Sequence, residues 1–155
     1  MSKANQATQL ILWRHAEAED GFVDSARQLT ERGQKQAARV ARWLTTRLPG
    51  DYQLIASPAV RAQQTASELA AKFATSAELA VSSSATRILA ASRWPDCGGT
   101  TVLVGHQPCF GQLAALLVTG REESWSIRKG AIWWLWQRRT DSTISIRTII
   151  DPDMI

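Results

Sequence analysis

Short apolar runs alternate along the chain with longer stretches in which apolar residues recur every three or four positions, a pattern that predicts strands interleaved with helices. Leu10-Ile11-Leu12-Trp13 has no polar interruption and ends at the polar cluster opening with Arg14, as a buried strand does. Thr30 stands where the N-cap belongs for a helix to about Leu48, stopped by Pro49-Gly50. One side of that helix carries Ala37, Val40, Ala41, Leu44 and Leu48. The other carries Arg32, Lys35, Arg39 and Arg42, a basic stripe expected to be a solvated face. Gln53-Leu54-Ile55-Ala56 predicts a second strand, and Ser57-Pro58 the N-cap and first position of a helix to about Phe73. In that helix Arg61 and Thr65 lie one turn apart on one side, while Val60, Ala66, Leu69 and Phe73 can pack inward.

From Thr75 to Thr86 the residues are small and polar, with a short strand expected around Leu79-Ala80-Val81 and a helix before Pro95. Thr100 to Val104 is a further buried strand, and Gly105-His106-Gln107-Pro108 turns into an apolar helix from about Cys109 to Val118. Ala131 to Gln137 and Thr143 to Ile150 read as the two strands of an antiparallel hairpin at one side of the sheet. The fold class this implies is α/β, a mostly parallel sheet with helices on both faces, as one domain over residues 1–155. In such sheets the connections leaving the carboxyl ends of the strands line a shared crevice. Arg14-His15, Ser57 to Arg61 and Gly105-His106 should therefore converge, bringing together both histidines of the chain and two arginines with no evident acidic partner.

Composition narrows the partners. The 155 residues, 45% hydrophobic and 21% charged, are those of a soluble globular chain able to bury roughly 68–70% of its unfolded surface. No apolar run reaches a membrane span, and Met1 to Gln9 lacks the features of a secretory signal, so a cytoplasmic location is expected. Cys97 and Cys109 form no CxxC pattern, and with two histidines a structural zinc site is not expected. The net charge of +4 comes from 14 arginines and four lysines, a bias suited to forked recognition of phosphate or carboxylate. No nucleic-acid-binding motif is present, and neither a nucleic acid nor a membrane is expected as partner.

Two histidines and two arginines at one crevice suit an anion rather than a metal, which the arginines would repel. Arginine forks can hold the non-bridging oxygens of a phosphoryl group while a neutral imidazole attacks in line. His15 is then the nucleophile, its pKa lowered by the neighbouring positive charges, and the start of the helix after Pro108 is expected to add backbone N–H donors beside His106. Glu17 and Asp20, close after His15, are candidate acids for an ester substrate.

The residues that carry this chemistry resemble a known family. Arg14-His15-Ala16, Leu29-Thr30-Glu31-Arg32-Gly33, Ser57-Pro58-Ala59-Val60-Arg61 with Thr65, and Gly105-His106-Gln107-Pro108 are similar to the ordered motifs of the histidine phosphatase superfamily, the phosphoglycerate mutase-like fold. Within it the chain resembles the small SixA-type phosphohistidine phosphatases. The resemblance implies that His15 carries the phosphoryl group, that Arg14, Arg61 and His106 hold its oxygens, that Ser57 supports the His15 environment, and that no cofactor is needed. Two features depart from the larger family. Ala16 stands where glycine is usual, and the 44 residues between Arg61 and His106 offer only Glu68, Glu78 and Asp96 and no recognisable acid motif. Secondary structure takes up most of that interval, so no large cap over the pocket is expected.

An open pocket without a strong acid favours a phosphorylated protein, with phosphohistidine as the group cleaved. A small phosphorylated metabolite and a non-catalytic phosphoprotein-binding module are the alternatives, the latter disfavoured because pure anion binding needs no nucleophile. Trp133, Trp134 and Trp136 alternate along the first hairpin strand, placing Trp133 opposite the other two; sheet packing is the first reading and a partner-binding patch the second.

Overall fold

The computed structural model describes residues 7–138 and 140–155. Residues 1–6, which hold most of the segment read above for an export signal, and Arg139 lie outside the described residues. Six strands form one sheet: β1 (Thr8–Arg14), β2 (Gln53–Ala56), β3 (Ala74–Thr75), β4 (Thr100–Gly105), β5 (Ile132–Gln137) and β6 (Ile144–Ile150), in the order β3-β2-β4-β1-β5-β6. The first four run parallel, with Leu12 opposite Leu103 and Ile55 opposite Leu103 on its other side. The hairpin β5–β6 adds antiparallel strands at the β1 edge, with a register shift between Trp134 and Leu135. This is the mixed α/β sheet with a C-terminal hairpin that the apolar pattern predicts.

Because β1 and β4 are covered on both faces, alternate residues feed two cores. Ile11, Trp13, Val102 and Val104 pack under α1 (Glu31–Thr45) and α2 (Val60–Ser67) with Ala37, Val40, Leu44, Ala62 and Ala66. Leu10, Leu12 and Leu103 face α3 (Ala85–Ser92) and α4 (Cys109–Thr119) with Ile88, Phe110 and Leu113. Full burial of the four apolar residues Leu10 to Trp13 is why that run contains no polar position.

Helix α1 begins as expected, the Thr30 hydroxyl accepting the Gly33 N–H at 2.9 Å. Its basic stripe is partly employed: Arg32 pairs with Asp153 at 3.1 Å and Arg39 donates to the Pro152 carbonyl, so the last residues of the chain fold back on it. Helix α2 is shorter than expected at both ends. The Ser57 N–H continues the sheet ladder to the Val104 carbonyl at 2.9 Å, which shifts the helix cap to Ala59, and the helix ends at Ser67. The short strand expected at Leu79 lies earlier, at Ala74–Thr75, and Leu79 closes a 3-10 turn whose side chain fills the second core. Gly120, at φ 84°, terminates α4.

All seven tryptophans are at least half-buried. Trp134 donates to Gln9 Oε1 at 2.8 Å and meets Trp43 edge-on, Trp133 tilts against Trp125, and the Arg138 and Arg147 guanidinium groups lie over Trp136. Sheet packing accounts for the cluster. Among the described residues no helix is long and apolar enough to cross a membrane, and both cysteines are free.

Candidate active site

Arg14 ends β1 and His15 follows it, its backbone held on two sides by N–H donation to the Gly105 carbonyl and acceptance from the Gly130 N–H, both 3.0 Å. His106 follows β4, and its carbonyl accepts from Phe110 N–H in the first turn of α4. Arg61 lies in the first turn of α2. The three segments therefore meet at the carboxyl ends of adjacent parallel strands, as expected, with the two imidazole centroids 5.1 Å apart and their planes at 54°.

Hydrogen bonding fixes which nitrogen of His15 is free. Its Nδ1 lies 2.8 Å from the Ala16 carbonyl, which can only accept, so Nδ1 bears the hydrogen and Nε2 a lone pair. Arg61 Nε–H donates toward that Nε2 at 3.4 Å, a long contact consistent with the same tautomer. Burial is the main cause that lowers the His15 pKa to about 3; the Ala16 hydrogen bond opposes it, and His106, Arg61 and Arg14 add smaller lowering contributions. Positive neighbours thus act in the expected direction, but desolvation leads. His106 is lowered to about 4, again chiefly by burial and then by Arg61. Both rings are neutral at pH 7.

Ser57 serves the other histidine. Its hydroxyl lies 2.8 Å from His106 Nε2 and accepts the Ala59 N–H at 3.2 Å, so its own hydrogen is available to Nε2. With Ser57 as the donor, the hydrogen of His106 is on Nδ1, which is buried without a partner among the described residues; Arg14 Nε is buried and unpartnered too. Arg14 is anchored through Nη1 to the Ile127 carbonyl at 2.8 Å. Unpaired buried donors are costly, and an anion whose oxygens reached both would remove that cost.

Arg61, expected to lack an acidic partner, has one. Its Nη1 donates to the Asp24 carbonyl at 2.7 Å and its Nη2 to the Asp24 carboxylate at 3.0 Å. The acid lies 37 residues earlier, in a loop with no apolar pattern to flag it. Thr65 contributes by a route that helix spacing hints at: its hydroxyl donates to the Arg61 carbonyl and accepts the Ala16 N–H, tying α2 to the segment after His15. Glu17 is committed elsewhere, accepting from the Thr30 hydroxyl at 2.8 Å and pairing with Arg32 at 3.6 Å. With Arg14, Arg32, Arg128 and Lys129 it lines a groove of about 280 Å³. Asp20 is exposed. The N–H donors expected at the start of α4 are reduced, since those of Phe110 and Gly111 are taken by the His106 carbonyl and Gln107 Oε1.

The family model of the histidine phosphatase superfamily (branch 1) matches residues 10–82, which include His15 and Arg61. An uncharacterized protein of Mycobacterium tuberculosis, Rv1276c, is 32% identical over 112 residues, covering 68% of this chain and 70% of that one. The chain belongs to the histidine phosphatase superfamily. The superfamily fold extends over nearly its whole length. A SixA-type protein of Nakamurella multipartitia superposes with a TM-score of 0.80 at 24% identity, covering 95% of this chain and 97% of that one. The protein histidine phosphatase SixA complexed with tungstate gives 0.78 at 22% identity, with 94% and 98% covered. A phosphoserine phosphatase of Entamoeba histolytica gives 0.71 at 17% identity, with 96% and 99% covered. The same shape thus serves phosphatases named for different phosphorylated residues, and substrate must be argued from this chain's own site.

Proposed function

We propose that this histidine phosphatase superfamily member is a phosphohydrolase that removes phosphate from phosphohistidine on a protein, through a phosphorylated His15. The observation that carries the reading is the His15 imidazole: buried, neutral, its hydrogen fixed on Nδ1 and its Nε2 lone pair facing the site beside Arg61. In the first step Nε2 attacks phosphorus in line, a nitrogen–phosphorus bond forms and the bond to the leaving imidazole breaks, its electron pair staying on that nitrogen. Arg14, Arg61 and His106 Nδ1–H hold the equatorial oxygens as charge spreads over them. Water then attacks phospho-His15, the nitrogen–phosphorus bond breaks, and phosphate departs with the proton of the attacking water.

Phosphohistidine is favoured by what stands between Arg61 and His106. The interval is used by α2, β3, a 3-10 turn, α3 and β4, and Glu68, Glu78 and Asp96 lie outside the helix-start and strand-end segments that form the site. An imidazole protonated on its far nitrogen leaves neutral, with a conjugate acid near pKa 6.5, and needs less acid assistance than an alkoxide. The test compares kcat/KM for a phosphohistidine protein with that for phosphate monoesters of graded leaving-group pKa. Phosphohistidine should exceed alkyl esters, and the gap should narrow for nitrophenyl esters. A flat profile, or an alkyl metabolite ester that exceeds phosphohistidine, would move the assignment to a metabolite phosphatase. His15→Ala should abolish turnover of every substrate, and near-normal rates in that variant would remove the mechanism.

A further inference from the structure

The loop between β1 and α1 is a closed clasp. Ala18 pairs with Leu29 in an antiparallel bridge, Glu19 N–H donates to the Gln28 carbonyl at 2.8 Å, and Arg27 Nε donates to the Glu19 carbonyl at 2.7 Å. Its far end carries Asp24, which reaches two arginines at once: one carboxylate oxygen accepts from Arg27 Nη1 at 3.2 Å, the other from Arg61 Nη2 at 3.0 Å, and the backbone carbonyl accepts from Arg61 Nη1 at 2.7 Å. The side chain of Arg61 is 4% exposed and that of Asp24 56%, so the carboxylate closes over the outer edge of a buried guanidinium.

We infer that Asp24 is a positioning residue for Arg61, setting the plane of the guanidinium so that its Nε–H faces His15 and its remaining N–H groups face the phosphoryl oxygens. The inference rests on the reading of this site as a phosphohydrolase. A guanidinium has five N–H donors in one plane, and Asp24 takes one from each terminal nitrogen, which fixes rotation about the last side-chain bonds. The Nε–H then points to His15 Nε2, and one hydrogen on each terminal nitrogen is left for oxygens. Without the clasp the guanidinium could turn out of that plane, and misplacement of about 1 Å at such a group can cost on the order of 10²-fold in rate.

Electrostatics alone argues the opposite sign. A carboxylate beside an anion site repels the anion, so a bystander or a plug at position 24 predicts that its removal tightens binding and raises kcat/KM. Position and charge are therefore separable. Wild type, Asp24→Asn, Asp24→Ala, Arg61→Ala and the Asp24→Ala/Arg61→Ala pair would be compared in kcat and KM on p-nitrophenyl phosphate and a phosphohistidine protein, with tungstate binding measured by calorimetry. Asp24→Ala should keep the wild-type Tm, lose about 10- to 100-fold in kcat, and bind tungstate within about threefold of wild type or more tightly, whereas Asp24→Asn, which keeps an oxygen acceptor for Arg61 Nη2 without the charge, should stay within about fivefold of wild type in kcat. In the Arg61→Ala background Asp24→Ala should change kcat by less than about twofold, because the group it positions is gone. An unchanged or raised kcat/KM in Asp24→Ala, or an equal loss with and without Arg61, would overturn the inference. If wild type hydrolysed neither substrate, the phosphohydrolase reading would fail on its own. Asp24 would then be judged by the imidazole nitrogen spectrum: loss of the Arg61 hydrogen bond in Asp24→Ala should move the His15 Nε2 resonance, and an unmoved resonance would overturn the positioning role.

Discussion

Each imidazole at this site is set by one oxygen: the Ala16 carbonyl for His15 and the Ser57 hydroxyl for His106. The two differ in consequence, since a carbonyl leaves no choice of tautomer whereas a hydroxyl can donate or accept. Ser57 accepts the Ala59 N–H with one of its two lone pairs and keeps its own hydrogen to donate to Nε2, the direction that leaves the His106 hydrogen on Nδ1 for a phosphoryl oxygen. Ser57→Ala would release His106 to either tautomer and leave its buried Nε2 unpaired, so kcat should fall about tenfold, the scale of one hydrogen bond, with KM little changed. Steady-state kinetics on a nitrophenyl ester checks this, and an unaltered kcat would reduce the hydroxyl to packing. At this scale the sequence revealed the residues that follow strands. His15, Arg61 and His106 were legible because strand ends and helix starts can be read from apolar pattern. The partner of Ser57 was not, because the apolar pattern places Ser57 after β2 without saying which histidine its hydroxyl meets. Asp24 was not legible at all: one carboxylate in a loop of polar residues carries no periodic signal.

Elements were legible where burial imposed the pattern and blurred where it did not. Leu10 to Trp13 and Thr100 to Val104 are buried on both faces, so each reads without ambiguity as a strand. The two-residue strand Ala74–Thr75 is exposed and pairs on one side only, and nothing in its residues distinguishes it from loop. Between α1 and the loop after His15 the constraint is a backbone approach. A Cβ on Gly33 would meet the Glu17 carbonyl oxygen at 1.9 Å, a contact with backbone that no rotamer can relieve. The same carbonyl accepts the Thr30 N–H, and the Thr30 hydroxyl caps the helix at Gly33, so the helix start and the loop cannot separate independently. Gly33→Ala should therefore cost about 1–3 kcal/mol in urea unfolding, as overpacking does elsewhere, and lower kcat through the displaced clasp. A loss below about 0.5 kcal/mol would show that α1 can shift freely against the loop.

Over the whole molecule, the site makes stability depend on pH from the ordinary histidine range downward, beginning above the range in which carboxylates titrate. His15 and His106 titrate near pH 3 and 4 in the folded chain, against an ordinary value of 6.5. Well above pH 6.5 both are neutral folded or unfolded, and their contribution is complete. As pH falls below 6.5 the unfolded chain takes up two protons that the folded chain refuses, so stability is lost progressively down to about pH 4, where His106 begins to accept its proton. Asp24, whose carboxyl is held below its ordinary range chiefly by hydrogen bonding to Arg61, has an unperturbed value of 3.8 and adds its own loss only at lower pH. Between pH 6.5 and about 5.5 the imidazoles therefore dominate, and below that the comparison with His15→Ala separates them from the carboxylates. The limiting slope is about 1.4 kcal/mol per pH unit for each histidine. Urea unfolding followed at pH 7.5, 6.5, 5.5 and 4.5 should show a small loss, about 0.7 kcal/mol, between the first two and a steeper fall thereafter. The fall should be halved in His15→Ala, which removes one of the two protons from the balance and keeps the other. A profile level to pH 4.5 would mean that water reaches both rings in the folded chain, and the neutral, buried nucleophile would go with it.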